Sequence, residues 1–178
     1  MHYNTDMRII SRTIKTPIGN MLAATTPQGV CLFEFMDVEE RLKKQLSRLE
    51  RVFSATVNSG KHAYLDQLET EMAEYFSGNR KQFTVSLDFR GTDFQKRSWL
   101  ALQQIPYGET RSYQQQACAI NHPKAARAVA NANHHNKLSV LIPCHRVIAK
   151  DGSLAGYGGE VWRKQFLLEL EQGCNSEC

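Results

Sequence analysis

At Gly91 the sequence changes texture, and that change limits the chain to a fold of two unlike parts. Before Gly91, strand-like segments precede two long helical stretches; after it, short helices follow one another through tight turns. In the first part Arg8 to Lys15 carries Ile9, Ile10, Thr13 and Ile14. Pro17 to Asn20 supplies a turn, Met21 to Thr26 reads as a second strand, and Gly29 precedes a third over Val30 to Phe35. These make a three-stranded antiparallel meander. Asp37 with Glu40 has the form of a helix-starting capping box, ahead of Leu42, Leu46 and Leu49 at helical spacing. A second helix is expected over Tyr64 to Phe76, with Leu65, Leu68 and Met72 on one face and a stop at Gly78. Phe83 to Leu87 is expected to return as a strand.

In the second part Thr92 or Asp93 opens a helix containing Trp99 and Leu102, which Pro106, Tyr107 and Gly108 break. Ser112 can cap the next, from Tyr113 to about Ile120, and Asn121, His122 and Pro123 turn the chain into a third, Lys124 to Ala132. Two short helices joined by a short turn suggest a helix-turn-helix. The expected class is therefore α/β in the α+β sense: residues 1–90 a small sheet with helices, residues 91–178 a mainly helical unit. The third helix is rich in alanine, either because alanine is the best helix former or because a backbone-sized object must approach it closely.

With 178 residues, 42% of them hydrophobic, the chain can bury an ordinary core. No apolar run approaches the roughly 20 residues needed to span a bilayer, and Met1 to Asp6 hold no apolar signal core, so a cytoplasmic protein with no membrane association is expected. Five cysteines, Cys31, Cys118, Cys144, Cys174 and Cys178, are scattered without a Cys-x-x-Cys pair, which argues against a disulfide framework or a metal site. A net charge of +4 permits a polyanionic partner without requiring one.

Leu138, Val140, Leu141 and Ile142 read as a short apolar strand that Pro143 ends, placing Cys144 at its tip. A cysteine after such a run is commonly an inert core residue. His145 and Arg146 shift that reading, because a base and a positive charge next to a thiol favour the thiolate. A buried thiol would otherwise stay protonated. Adjacent side chains on an extended backbone point to opposite faces, so His145 would reach Cys144 through a water. Some acid must orient the imidazole, and these residues alone nominate none. Beyond Asp151, Gly152 and Ser153, the run Gly156, Tyr157, Gly158, Gly159 forms a flexible loop, either a plain surface loop or one presenting N–H groups to a ligand. A Cys-His hydrolase is the rival chemistry; it would place its nucleophile at a helix N-terminus beside an oxyanion hole, which Pro143 after a strand fits poorly.

The segment from Gly91 to Gly173 resembles the catalytic domain of the O6-alkylguanine-DNA alkyltransferases, also called methylated-DNA–protein-cysteine methyltransferases. The resemblance rests on an ordered set: Phe94, Gln95 and Trp99; Ile105 to Glu109; Ser112 to Gln115; Pro123 to Val129; Asn136; Ile142 to Ile148; and Asp151, Gly152, Gly156, Tyr157, Arg163, Lys164, Leu167, Leu168 and Glu171. It implies a ribonuclease-H-like N-terminal domain and a single-use repair protein. Cys144 would take the alkyl group from O6-alkylguanine, and from O4-alkylthymine, and keep it as a thioether. No cofactor is implied. The implied partner is double-stranded DNA gripped by a monomer through its minor groove, with the target base flipped out.

On this resemblance Glu171 orients His145, which deprotonates Cys144 through a water. Tyr113 gives a proton to guanine N3, Asn136 ties together the loops flanking the cysteine, and Arg127 enters the base stack. Gln114 and Ala126 join Tyr113 and Arg127 against DNA, while Val147, Tyr157 and Gly158 line the base pocket, Val147 and Cys144 through their carbonyls. Non-catalytic relatives that only bind the lesion lack the acceptor cysteine. The sequence departs from the pattern at Gln116, usually leucine, at Ala130, usually glycine, and at Lys137, usually proline; Ser139 and Ala155 bear on the alkyl size accepted.

Overall fold

The computed structural model describes residues 7–154 and 156–173, and divides into two compact units, Met1–Arg90 and Gly91–Cys178. Ala155, Cys174, Cys178 and Met1 to Asp6 lie outside the described residues. Among those described, no helix is long and apolar enough to cross a membrane.

In the first unit β1 (Arg8–Thr16), β2 (Gly19–Thr26) and β3 (Gly29–Phe35) form the antiparallel meander. The sheet has a fourth member that the sequence did not suggest. β4 (Thr56–Ser59) runs parallel to β1, giving the order β3-β2-β1-β4. Its Thr-Val-Asn-Ser has only Val57 and Asn58 available for a half-buried, half-exposed edge, too short for an alternating signal. Between β3 and β4, α1 (Glu39–Phe53) lays Leu42, Leu46, Leu49 and Phe53 on Ile9, Leu22 and Leu32. The expected capping box does not form. Val38 occupies the N-cap without a side-chain bond, and Glu39 and Glu40 instead sit in the first turn, where they pair with Lys43 and Lys44.

α2 (Ala63–Phe76) packs Leu65, Leu68, Met72 and Tyr75 across β1 to β3. The strand expected over Phe83 to Leu87 reduces to one parallel bridge between Leu87 and Val30. Its backbone is claimed elsewhere: the buried carboxylate of Glu71 accepts the N–H of Thr84 at 2.9 Å and of Val85 at 3.3 Å. Gly29 allows the bridge, since a Cβ there would lie 2.5 Å from the Ser86 carbonyl oxygen.

The second unit starts with α3 (Asp93–Gln103), capped by Thr92 and Gln95 in a full capping box. The dipeptide strand β5 (Arg111–Ser112) leads into α4 (Tyr113–Ala119), where Ser112 and Gln115 form a second box. α5 runs Ala126–His134, later at both ends than the sequence suggested. Lys124 and Ala125 belong to the turn, in which Ala125 N–H bonds the His122 carbonyl at 2.8 Å. Val129 of α5 meets Ala117, Ile120 and Phe94, so α3, α4 and α5 share one small apolar core.

The strand expected over Leu138 to Ile142 is absent. The segment is a buried turn, closed by Ile142 N–H to the Leu138 carbonyl at 2.9 Å, with Val140 at φ +71°. An apolar run reports burial rather than extension, and here the chain coils on itself. Cys144 consequently opens a 3-10 turn (Cys144–Arg146) rather than ending a strand. β6 (Val147–Ile148) then pairs parallel to β5, and α6 (Val161–Glu171) packs against the 3-10 turn.

Candidate active site

Every predicted site residue lies in the second unit. Cys144 is half-buried, its N–H bonded to the Ile142 carbonyl at 2.8 Å. Asn136 braces it from behind. Its Oδ1 accepts Leu138 N–H at 2.9 Å, while Nδ2 donates to the Ile142 carbonyl at 2.8 Å and reaches Cys144 Sγ at 3.4 Å. One side chain thus closes both ends of the 138–142 turn and touches the sulfur.

His145 is fully buried, with Nε2 2.8 Å from Glu171 Oε1. Arg146 grips the same carboxylate at both oxygens, Nε to Oε2 at 2.8 Å and Nη2 to Oε1 at 2.9 Å, and gives Nη1 to the Ile105 carbonyl at 2.7 Å. The Gly108 N–H adds a longer bond to Oε2 at 3.3 Å. Burial alone would raise the Glu171 carboxyl, but the hydrogen bonds and charges of His145 and Arg146 outweigh it and hold the group well below the usual carboxylate range. Glu171 is therefore an acceptor only, and Nε2 must carry the proton facing it. For His145 burial is the largest influence and lowers its pKa; Arg146 and Lys164 act the same way, against the pull of Glu171. A neutral imidazole protonated at Nε2 leaves Nδ1 with a lone pair, and Nδ1 is a buried atom with no hydrogen-bond partner among the described residues. This is the arrangement of a general base.

The sequence assigned Arg146 to the thiol, whereas the structure commits it to Glu171. Lys164, given no role from sequence, is buried and donates Nζ to the Val147 carbonyl at 2.6 Å. Burial pulls the ammonium below its ordinary value and negative charge on Cys144 opposes that, so the attraction in turn favours thiolate. A signal existed: Lys164, Leu167, Leu168 and Glu171 share one helical face, and two charges inside an apolar stripe are unusual.

Tyr113 opens α4 half-buried. Burial first, and the charge of Cys144 second, push its phenol above the ordinary value, so it remains a proton donor. Gly156, at φ +86°, lies against it; a Cβ there would sit 2.8 Å from the hydroxyl. Tyr157 and Gly158 follow half-buried in the same loop.

A model of the 6-O-methylguanine DNA methyltransferase DNA-binding domain matches residues 93–173, and one of the ribonuclease-like domain of the same proteins matches residues 9–89. A methylated-DNA–protein-cysteine methyltransferase of Mycobacterium tuberculosis is 46% identical over 90% of this chain and 91% of its own. The chain belongs to the methylated-DNA–protein-cysteine methyltransferases. A solved O6-methylguanine methyltransferase of Mycobacterium tuberculosis superposes with a TM-score of 0.77 at 40% identity, over 93% of both chains. A structure of the mycobacterial OGT in complex with DNA does so at 0.75 and 41%, again over 93% of each.

For a methyltransferase of this family, the remaining expected residues fall into two groups. Arg127 is exposed near the start of α5, with Ala126 half-buried beside it. Gln114 is also exposed, but its amide donates to the Pro123 carbonyl and so ties α4 to the turn before α5. Val147 is buried, and its carbonyl already accepts Lys164; one lone pair is left for a ligand. The Cys144 carbonyl likewise accepts Val147 N–H. Among the described residues no group of three or more His, Cys, Asp or Glu could hold a metal ion.

Proposed function

We propose that this protein repairs DNA by moving the alkyl group of O6-alkylguanine onto Sγ of Cys144, once per molecule. The observation that carries the reading is the bare Nδ1 of His145, its tautomer set by Glu171, in the residue adjoining a half-buried cysteine. The thiol proton passes to Nδ1 through a water, and Lys164 steadies the thiolate. Sulfur attacks the alkyl carbon, the S–C bond forms as the C–O6 bond breaks, and the electron pair collapses into the guanine ring. Tyr113 supplies a proton to N3 so that guanine leaves neutral, and the proton taken by His145 replaces it. The thioether is chemically stable, which ends the protein's working life.

The reading includes double-stranded DNA held through the minor groove by a cytoplasmic monomer. The target nucleotide is extruded and Arg127 stands in its place in the stack. The exposed guanidinium of Arg127, without an ion-pair partner among the described residues, on a helix of small residues supports that role. Incubation with a duplex containing O6-methylguanine is expected to add one methyl group to the peptide bearing Cys144, read by intact-protein and peptide mass spectrometry. Unmodified protein with the lesion still in the duplex would overturn the proposal. Arg127→Ala is expected to slow transfer from the duplex more than transfer from free O6-benzylguanine, since only the duplex requires flipping.

A further inference from the structure

The Gln116 side chain, where the family pattern carries leucine, is buried between three helices. Its Nε2 donates to the Ser98 carbonyl of α3 at 3.0 Å and to Asn133 Oδ1 of α5 at 3.0 Å, while its Oε1 accepts Asn133 Nδ2 at 2.7 Å. The two amides close a reciprocal ring in which each gives and takes a bond. Trp99 of α3 adds Nε1 to the Ala132 carbonyl at 2.8 Å, one residue earlier on α5. All these polar anchors grip the C-terminal half of α5. Around the helix axis Arg127 stands about 120° from Asn133, so a buried Asn133 leaves Arg127 facing out.

The apolar contacts of α5 cannot fix that rotation alone. Its inward residues besides Asn133 are Val129 and Ala132, small side chains that would slide against Ala117 and Ile120 at little cost. A slip of one residue would swing Arg127 by about 100°. A paired polar side chain inside an apolar seam resists such a slip, because every other register leaves an amide unsatisfied in the core. Gln116 also sits one turn after Tyr113 on α4, so the same ring ties the helix bearing the proton donor to the helix bearing Arg127.

We infer that Gln116 and Asn133 are positioning residues that set the rotation at which α5 is presented to DNA. The inference rests on the proposed use of Arg127 in the duplex. The test compares Gln116→Leu, Asn133→Leu and the double Leu variant for transfer to Cys144 from an O6-methylguanine duplex and from free O6-benzylguanine, together with their melting temperatures. Each single change should slow duplex transfer at least about tenfold while free-base transfer stays within about twofold. In the double variant the melting temperature should recover, since neither amide is left unsatisfied, yet duplex transfer should stay slow because the register is unmarked. In an Arg127→Ala background, Gln116→Leu should add nothing to the duplex defect.

Equal losses for both substrates in the single variants would overturn the inference, as would a double variant that regains stability and duplex transfer together. A duplex-selective loss in Gln116→Leu with none in Arg127→Ala would overturn the finger and leave α5 positioning standing. The reverse pattern would sink the positioning role and keep the finger.

Discussion

Nε2 of His145 and Oε1 of Glu171 lie 2.8 Å apart with both side chains closed to solvent, and Arg146 holds the far side of the same carboxylate. The carboxylate is thus locked ionised between two donors, and the imidazole has only one tautomer open to it. What could have been a structural ion pair becomes a device for exposing a lone pair at Nδ1, because burial keeps the ring neutral.

That neutrality sets the pH response of transfer. His145 has its pKa lowered from 6.5, so the base remains unprotonated as pH falls through the ordinary histidine range. The rate of transfer from free O6-benzylguanine should be flat from about pH 8 down to about pH 6.5 and fall only below that. A half-maximal rate at or above pH 6.5 in stopped-time alkylation assays would contradict a depressed His145.

Stability follows the same groups with a definite sign. Both His145 and Glu171 have folded pKa values below their unfolded ones, so as pH falls the unfolded chain takes up each proton first. Stability is full above the unfolded values and is lost on acidification, beginning below 6.5 with His145 and continuing below 4.5 with Glu171. Glu171→Gln removes the counter-charge of a buried Arg146 and should cost about 3 kcal/mol at neutral pH. Urea denaturation would show it, and below pH 4.5, where only the parent has Glu171 to protonate, the variant's loss should be shallower than that of the parent. A parallel pH dependence in the two proteins would show that Glu171 does not supply it.

Tyr113 should act through its proton alone. Tyr113→Phe keeps the ring that packs under Gly156 and removes the hydroxyl, so transfer should slow about a hundredfold with little change in melting temperature. Because the phenol is held above its ordinary value, the parent enzyme should show no loss from this group as pH rises to about 9. Phe at full activity would remove Tyr113 from the chemistry.

Much of this was legible in the sequence because local chemistry decided it. Ser112 announces α4, and Thr92 or Asp93 announces α3, since an N-cap acts within one turn, although the box read at Asp37 and Glu40 does not form. The reading failed where a distant partner decided the outcome. Glu71 takes the backbone that Phe83 to Leu87 would have used in a ladder, β4 exists only because β1 offers an edge, and the 138–142 run coils because Asn136 satisfies its ends. At the site, His145 and Cys144 could be found from their adjacency. The grip of Arg146 on Glu171, 25 residues on, needed the fold of α6 against the 3-10 turn.

Asn136 is where fold and chemistry share one side chain. Replacing it with alanine strands the buried Leu138 N–H, at a cost of about 1–3 kcal/mol, leaves the Ile142 carbonyl with only the Cys144 N–H, and frees a turn in which Val140 already stands at φ +71°. Asn136→Ala should therefore lose about 1–3 kcal/mol and most of its transfer activity. Asn136→Asp separates the two effects. It keeps an acceptor for Leu138 N–H but puts a carboxylate beside the Ile142 carbonyl and Cys144 Sγ, where its charge raises the thiol pKa. The aspartate variant should recover transfer as pH rises above that of the parent optimum, whereas the alanine variant should not. Thiol titration by ultraviolet absorbance, with Cys144→Ser subtracted, would measure the shift directly, and an unmoved thiol would confine Asn136 to holding the turn.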